Sequence, residues 1–320
     1  MKIPLPSYNR QIEIVKILDS INAKIEVNNQ INQQLEAMAK TLYDYWFVQF
    51  DFPATNVSSS AVENSLDTKK DSKPYKSSGG KMVYNEELKR EIPDGWEVVT
   101  IGEVIDVKDG THDSPKSVDK GFKLITSKHL KREGLDFNNA NSISEEDYIN
   151  VNKRSKVNTG DILFSMIGNI GTIYKVEEKL IDFAIKNVAL YKTSSNEDLK
   201  NYIYMSLKGY DMQRYMGNVI AGSIQKFIGL GSLRKMPMMI NQKIISNYKT
   251  KSKPIFKQIE NLRVENQKLT ELRDWLLPML MNGQVQVNSN SNLNSNLNDA
   301  GDVDGGLGMV AESDSKYGNG

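Results

Sequence analysis

The sequence predicts an α+β fold: one globular piece of mixed helix and strand, flanked by two long helical segments of antiparallel coiled-coil type. Three observations predict it. Apolar residues recur every three or four positions near both ends of the chain, the period of a helix seam. Between those seams the period shortens to short β-rich runs punctuated by glycine, the pattern of strands and turns. The length of 320 residues with 39% hydrophobic side chains suffices for about two units of 100–200 residues each with a buried core.

The first element is a helix over residues 9–46. Gln11, Leu18, Ile25, Asn32 and Ala39 alternate with Ile14, Ile21, Asn28, Leu35 and Leu42, a heptad seam. At 1.5 Å per residue the helix is about 55 Å long, more than the surface of one compact domain accommodates. It closes on the aromatic cluster Tyr43, Tyr45, Trp46, Phe47, Phe50 and Phe52. Such a cluster is more often a dock in the core than a binding site; exposed, it would be a protein–protein surface. The first spacer segment is therefore placed at 1–52. Residues 53–84 follow as a linker or long surface loop, because 53–81 is rich in Ser, Lys and Asp and almost free of large apolar groups.

The globular piece is placed at 85–235. Strands are expected at 96–101, 121–126, 161–167, 171–176 and 188–191, and one helix at 196–215 through Leu199, Ile203, Leu207 and Met212. A second long segment fills 236–287. Its helix is expected over 252–282, with Ser252 as N-cap and Pro254 in the first turn. Its seam runs through Ile255, Ile259, Leu262, Asn266, Leu269, Arg273, Leu276 and Leu280. Both seams hold asparagine at inward positions: Asn28 and Asn32 in one, Asn266 in the other. A buried amide without a partner is costly, so a polar group opposite it selects register and partner. Residues 288–320, Asn- and Ser-rich and then acidic, are too poor in apolar groups to offset their ordering entropy and are expected to be disordered.

The two helical segments resemble each other. Asn32-Gln33-Gln34-Leu35-Glu36-Ala37-Met38 lines up with Asn266-Gln267-Lys268-Leu269-Thr270-Glu271-Leu272, and Ile3-Pro4-Leu5 with Met236-Pro237-Met238. Any two heptad segments share some likeness, and that reading stands beside a true repeat. If the likeness is a repeat, the helices pair antiparallel, within one chain or between two.

Charge and composition exclude more than they assign. The 41 basic residues balance 40 acidic ones, but unevenly. Region 236–287 carries eight basic against four acidic groups, and the tail one against five. A net charge of +1 argues against a simple basic coat for nucleic acid. With no cysteine there is no disulfide, thiolate nucleophile or Cys-ligated metal, and the two histidines are too far apart for a metal-ligand spacing. The start of the chain has no signal-peptide pattern, and no apolar run approaches the ~18 residues of a membrane span, so a cytoplasmic location and no membrane partner are expected. Neither a phosphate loop nor a dinucleotide fingerprint occurs, and Ser78-Gly79-Gly80-Lys81 has the wrong spacing. The Asn-Pro-Pro-Tyr/Phe motif of an amino-methyltransferase is missing too. Asp161, Glu177 and Lys179 resemble the metal-binding set of a nuclease. A turn aspartate and a solvated Glu-Glu-Lys turn explain them as well. The composition points away from an enzyme.

Three short segments offer polar groups suited to nucleic acid. Asp109-Gly110-Thr111-His112-Asp113-Ser114-Pro115 is a loop of small polar residues, with Lys116 following. Ser127-Lys128-His129-Leu130-Lys131-Arg132 is the densest basic run of the middle piece; such a run is commonly a solvated turn and also fits phosphate contacts. Ala221-Gly222-Ser223-Ile224-Gln225-Lys226-Phe227 is polar, and Gln225 has the chemistry to pair with an adenine edge.

Taken together, the residues resemble the specificity subunit of type I DNA restriction-modification systems, from Ile3 to about Val287. Gln11-Ile12, Ile17-Leu18, Asn28-Asn29-Gln30-Ile31-Asn32 and Trp46-Phe47-Val48-Gln49-Phe50-Asp51 look like the central spacer helix of that family. Ile92-Pro93-Asp94-Gly95-Trp96 with Ile101-Gly102-Glu103-Val104 resembles the start of a target-recognition domain. Gly160-Asp161-Ile162-Leu163-Phe164-Ser165 and Gly222-Ser223-Ile224-Gln225-Lys226 resemble its body. Leu272-Arg273-Asp274-Trp275-Leu276-Leu277-Pro278 is similar to the end of the second spacer.

The resemblance implies a non-catalytic subunit that reads bipartite double-stranded DNA. Methyltransferase subunits would bind along its spacers and restriction-translocase subunits would join them. S-adenosylmethionine, ATP and Mg²⁺ would serve those partners, with none bound directly here. The family pattern has two recognition domains; this chain, starting at the central spacer, is read as having one. A head-to-tail self-dimer would restore two. The alternatives are a truncated or silent allele that binds methyltransferase without directing methylation, and a purely structural coiled-coil adaptor. The residues expected at DNA are Thr111, His112, Lys116, Lys128, Lys131, Arg132, Ser223, Gln225 and Lys226. Those expected to pair the spacers are Leu18, Ile21, Ile25, Asn28, Asn32, Leu35, Ile259, Leu262, Asn266, Leu269 and Leu276. If partner subunits supply much of the grip on DNA, the subunit alone binds weakly with a shallow salt slope.

Overall fold

A computed structural model describes residues 6–54, 73–131, 134–222 and 226–285. Ile3-Pro4-Leu5, residues 55–72 of the expected linker, Arg132, Ser223, Gln225 and the expected disordered tail lie outside the described residues.

In chain order the elements begin with α1 (Tyr8–Tyr43), β1 (Met82–Asn85), β2 (Arg90–Pro93), β3 (Glu97–Thr100) and α2 (Ile101–Val104). Next come β4 (Val107–Asp109), β5 (Phe122–Thr126), β6 (Ser142–Ile143), α3 (Glu145–Ser155), β7 (Ile162–Ser165), β8 (Ile173–Lys175), β9 (Phe183–Lys186) and β10 (Val188–Tyr191). The chain continues with α4 (Lys200–Lys208), α5 (Tyr210–Val219), α6 (Leu230–Arg234), β11 (Pro237–Ile240) and α7 (Gln242–Met281). It divides into two compact units, Met1–Asn32 with Asn261–Gly320, and Gln33–Glu260. Among the described residues no helix is long and apolar enough to cross a membrane.

In the first unit the early turns of α1 run antiparallel to the late turns of α7. Arg10 Nη2 donates to the Val285 carbonyl at 3.0 Å, and Arg273 Nη1 to Asn22 Oδ1 at 3.2 Å. Ile14, Ile21, Leu276 and Leu280 are buried between the helices, with Leu18, Ile25, Leu269 and Leu272 against them. A polar layer interrupts this seam. Asn28 Nδ2 donates to Glu265 Oε2 and to Asn266 Oδ1, both at 2.8 Å, and Asn266 Nδ2 donates to Asn29 Oδ1 at 2.8 Å. A slip of one helical turn would take these partners from the buried Asn28 amide, so the layer favours one register. Asn32 and Leu262 are buried. Leu35 and Ile259, expected in the same pairing, instead join the core of the second unit.

The second unit takes in the last turns of α1 and continues past its end. A π-helical turn over Asp44–Val48 swings Trp46 and Phe47 inward, and the chain reverses at Phe50, whose φ of +63° is unfavourable for a residue with a Cβ. Packing holds it there: Phe50 is fully buried, the Arg90 guanidinium lies 4.7 Å from its ring centroid, and Arg90 Nη2 donates to the Val48 carbonyl at 2.6 Å. Of the six clustered aromatics, Tyr43, Trp46, Phe47, Phe50 and Phe52 are core, and only Tyr45 is exposed. The cluster is a dock.

The strands form four pieces of sheet, three of which line that core, while the sheet of β5, β6 and β9 buries its side chains in two separate clusters. β4-β10-β7-β8 form a four-stranded antiparallel sheet, β6-β5-β9 a three-stranded one in which β5 and β9 are parallel, and β11-β3 and β1-β2 are two-stranded. The five expected strands are all present, the one at 188–191 with the expected bounds and the other four shorter. The globular unit is wider than 85–235: β11 pairs with β3, Met238 opposite Val99, and Ile244, Ile245, Tyr248, Phe256 and Ile259 of α7 enter its core. The described parts of the expected linker, 53–54 and 73–84, pack onto the unit. Pro53 and Pro74 form a β-bridge, and the Tyr75 ring stacks on Phe52 at 4.8 Å.

Two helix expectations are corrected. The helix over 196–215 is two helices, broken at Gly209, whose ψ of 169° is extended; glycine is a poor helix interior residue. The second long helix begins at Gln242, not Ser252. Asn241 caps it, its Oδ1 accepting the Ile244 N–H at 3.2 Å. Ser252 is buried inside α7 and accepts from Asn201 Nδ2 at 3.4 Å. Pro254 therefore sits mid-helix, where it has no N–H to give the Thr250 carbonyl; packing of α7 into the core overrides that cost.

Candidate nucleic-acid interface

Strand register gathers several loops at one end of the second unit. Asp109 closes β4 opposite Ala189, Ser165 closes β7 opposite Val188, and Thr126 closes β5 opposite Lys186. The segments leaving β4, β5 and β7, and the β9–β10 turn at Asn187, therefore emerge side by side. Thr111 bridges Lys186, and Ser127 Oγ donates to the Asn187 carbonyl at 2.9 Å. Phe227 bridges both Ala221 and Ile167, bringing Lys226 to the loop after β7. Gly110 makes a close approach: a Cβ there would lie 2.3 Å from the Ile185 carbonyl oxygen, so only glycine permits it.

Of the residues expected at DNA, Thr111, His112, Lys128 and Lys226 come to this end. Thr111 is half-buried; the other three are exposed. Lys116 and Lys131 are exposed on the loops that continue from it. Four further residues were not singled out from sequence: Asp109, Arg154, Lys186 and Asn187. Asp109 is buried, and its carboxylate receives His112 Nε2 at 2.9 Å and Arg154 Nη2. The other ring nitrogen of His112 lies 2.8 Å from Asn187 Oδ1. Lys186 Nζ donates to Ser114 Oγ. Asn187 has a φ of +52°, a left-handed conformation that asparagine tolerates better than most residues. One signal was available: Asn187 interrupts the run Phe-Ala-Ile-Lys-Asn-Val-Ala-Leu-Tyr, as a turn residue between two strands does.

Arg154 is placed by α3. Ser144 caps that helix, its Oγ accepting the Asp147 N–H at 3.1 Å. Glu145, Glu146 and Asp147 occupy the first turn and Lys153 and Arg154 the last, each sign at the helix pole that favours it.

His129, within the basic run, faces inward. It is buried, and its Nδ1 accepts the Thr126 N–H at 3.0 Å. Burial, reinforced by the charges of Lys128 and Lys131, pulls its pKa below the ordinary histidine value. The folded ring thus resists a proton that the unfolded chain accepts below about pH 6.5. Its contribution to stability is complete above that pH and is lost as pH falls from there toward the lowered folded value. We expect the unfolding temperature to fall as pH drops below about 6.5, and His129→Asn to flatten that decline; an unchanged profile in the variant would refute the assignment.

The nuclease-like set has a structural use. Asp161 is fully buried, accepts the Asn158 and Ser194 N–H groups at 2.8 and 3.1 Å, and ion-pairs with Lys192. Glu177 lies 3.5 Å from Lys175, and Lys179 is exposed. Among the described residues no group of three or more His, Asp or Glu side chains is arranged to hold a metal ion.

Residues 93–273 match the family model for the type I restriction modification DNA specificity domain, more than half of the chain, and the chain belongs to that family. It is similar to two curated relatives. One is the type I restriction enzyme MjaIX specificity subunit of Methanocaldococcus jannaschii, 24% identical over 298 residues, with 90% of this chain and 61% of the relative covered. The other is the HindI specificity subunit of Haemophilus influenzae, 23% identical over 323 residues, with 89% and 69% covered. The chain thus spans about three-fifths of the length of MjaIX. Among solved structures, the type I restriction-modification S subunit from M. genitalium aligns with a TM-score of 0.48 at 14% identity, covering 86% of this chain and 61% of that one.

Proposed function

We propose that this protein is the DNA sequence-specificity subunit of a type I restriction-modification complex. It reads one half of a bipartite target and scaffolds methyltransferase and restriction subunits in the cytoplasm. The observation that carries this reading is the family match over 93–273, whose span contains every loop gathered at the sheet end with Thr111, His112, Lys128 and Lys226. The subunit itself is non-catalytic; S-adenosylmethionine, ATP and Mg²⁺ serve its partners. Since the two spacer segments pair within one chain, a head-to-tail dimer would join through their outer faces. Ile12, Val15, Val27, Ile31, Val264 and Trp275 supply exposed apolar groups there. Such a twofold presents two identical readers, and the target is an inverted repeat.

The test is co-expression of the full chain with a type I methyltransferase subunit in a host lacking such systems, followed by methylome sequencing and mass measurement of the complex. The expected result is one new bipartite methylated-adenine motif with identical inverted halves. A complex that forms without a new motif would mark a silent allele. The absence of both complex and DNA affinity at any salt would mark a structural adaptor. Alone, the subunit binds duplex DNA weakly with a shallow salt slope.

A further inference from the structure

Resting on the DNA-reading function above, we propose that Arg154 reads a guanine edge and that buried Asp109 is the residue that positions it. Asp109 sits at the end of β4 with a side chain 5% exposed, yet its two charged partners reach outward: His112 is 63% exposed and Arg154 61%. A carboxylate so deeply placed is not needed by β4 itself, where strand pairing uses only the backbone. What it does is fix two exposed side chains that come from a loop and from a helix end.

Of the two, His112 has no nitrogen left for DNA. One faces Asp109 at 2.9 Å and the other faces Asn187 at 2.8 Å, so the ring acts as a strut. Arg154 differs. A guanidinium carries five N–H donors, and among the described residues a single hydrogen bond, from Nη2 to Asp109, is made. The remaining donors lie in a plane held by the buried carboxylate. Pairing with Asp109 offsets the charge of Arg154 and so weakens its pull on a phosphate, while leaving directional donors. A directional, planar donor pair is what the O6 and N7 acceptors of guanine require. A phosphate contact requires only charge within reach.

The test is selection from a random duplex DNA library by the full chain bound to a methyltransferase subunit, with sequencing of the retained DNA, for the wild type, Arg154→Ala, Arg154→Lys and Asp109→Asn. A match of unfolding temperatures between Asp109→Asn and the wild type checks that variant. Replacing Arg154 leaves the buried Asp109 carboxylate with His112 as its remaining charged partner, so the unfolding temperatures of both Arg154 variants are matched to the wild type as well. The expected result is a wild-type motif with a G·C position at which all three variants lose about 10–100-fold in discrimination, every other position being unchanged. Lysine does not rescue, since it lacks the planar fork. Uniform weakening across all sequences with a shallower salt slope would make Arg154 a phosphate contact and overturn the proposal, as would an unchanged motif or a motif without a G·C position. If the wild-type complex selects no motif at all, the DNA-reading function falls first and this assignment with it.

Discussion

Phe47→Ala should cost the protein about 3–5 kcal/mol, read as a lower urea midpoint for the Gln33–Glu260 unit. Phe47 has no exposed surface and sits at the centre of an aromatic group, with ring centroids of Tyr202 at 4.6 Å, Tyr43 and Tyr248 at 5.2 Å and Trp96 at 5.8 Å. These rings belong to α1, the residue just before β3, α4 and α7, so one side chain ties together four segments of the chain. Truncation removes its burial and leaves a cavity that four large rings cannot close without abandoning their own contacts. For a domain stable by 5–15 kcal/mol, such a loss approaches unfolding. Tyr45→Ala, two residues earlier and at an exposed position, should shift the midpoint by less than about 0.5 kcal/mol. Equal effects from the two substitutions would show that the dock is not organised around Phe47.

Asp161→Ala should be of similar size, about 3–5 kcal/mol, for an electrostatic reason. The substitution strands the Lys192 ammonium, whose side chain is 14% exposed, and removes the acceptor of the Asn158 and Ser194 N–H groups. Lys192 also donates to the Lys156 carbonyl at 3.0 Å, which softens the loss, so the lower half of the range is expected. Asp161→Asn keeps the shape and one acceptor oxygen and should cost less. Denaturant unfolding of both variants checks this. A stable Asp161→Ala protein that had lost a DNA-cleaving activity would restore the nuclease reading of this residue.

The periodic parts of the fold were legible in the sequence. The heptad seam of α1 and the strand runs at 161–167 and 188–191 announce themselves because one physical demand, burial of one face or of both, fixes every other residue. The segments missed were those whose demand is met from far away. β11 can be read as a strand end before a helix, but its partner β3, far off in sequence, cannot. Gln242 to Lys251 carries no seam because it packs against a globular core and not against another helix. The site was half legible for the same reason. Thr111, His112, Lys128 and Lys226 have loop chemistry that can be read locally. Asp109 and Arg154, 45 residues apart, become partners only through the packing of α3 on β4.

The bridge between Pro53 and Pro74 also has a practical consequence. Ala54 N donates to the Lys73 carbonyl at 2.9 Å, and Tyr75 N to the Phe52 carbonyl at 3.0 Å, so backbone hydrogen bonds hold Ala54 and Lys73 side by side. The closure entropy of a segment inserted between two such anchored ends grows by only about 0.6 kcal/mol for each doubling of its length. An insertion between Ala54 and Lys73 is therefore expected to leave the bridge intact, which makes this a point in the chain to carry a fluorophore, an affinity handle or a whole inserted domain.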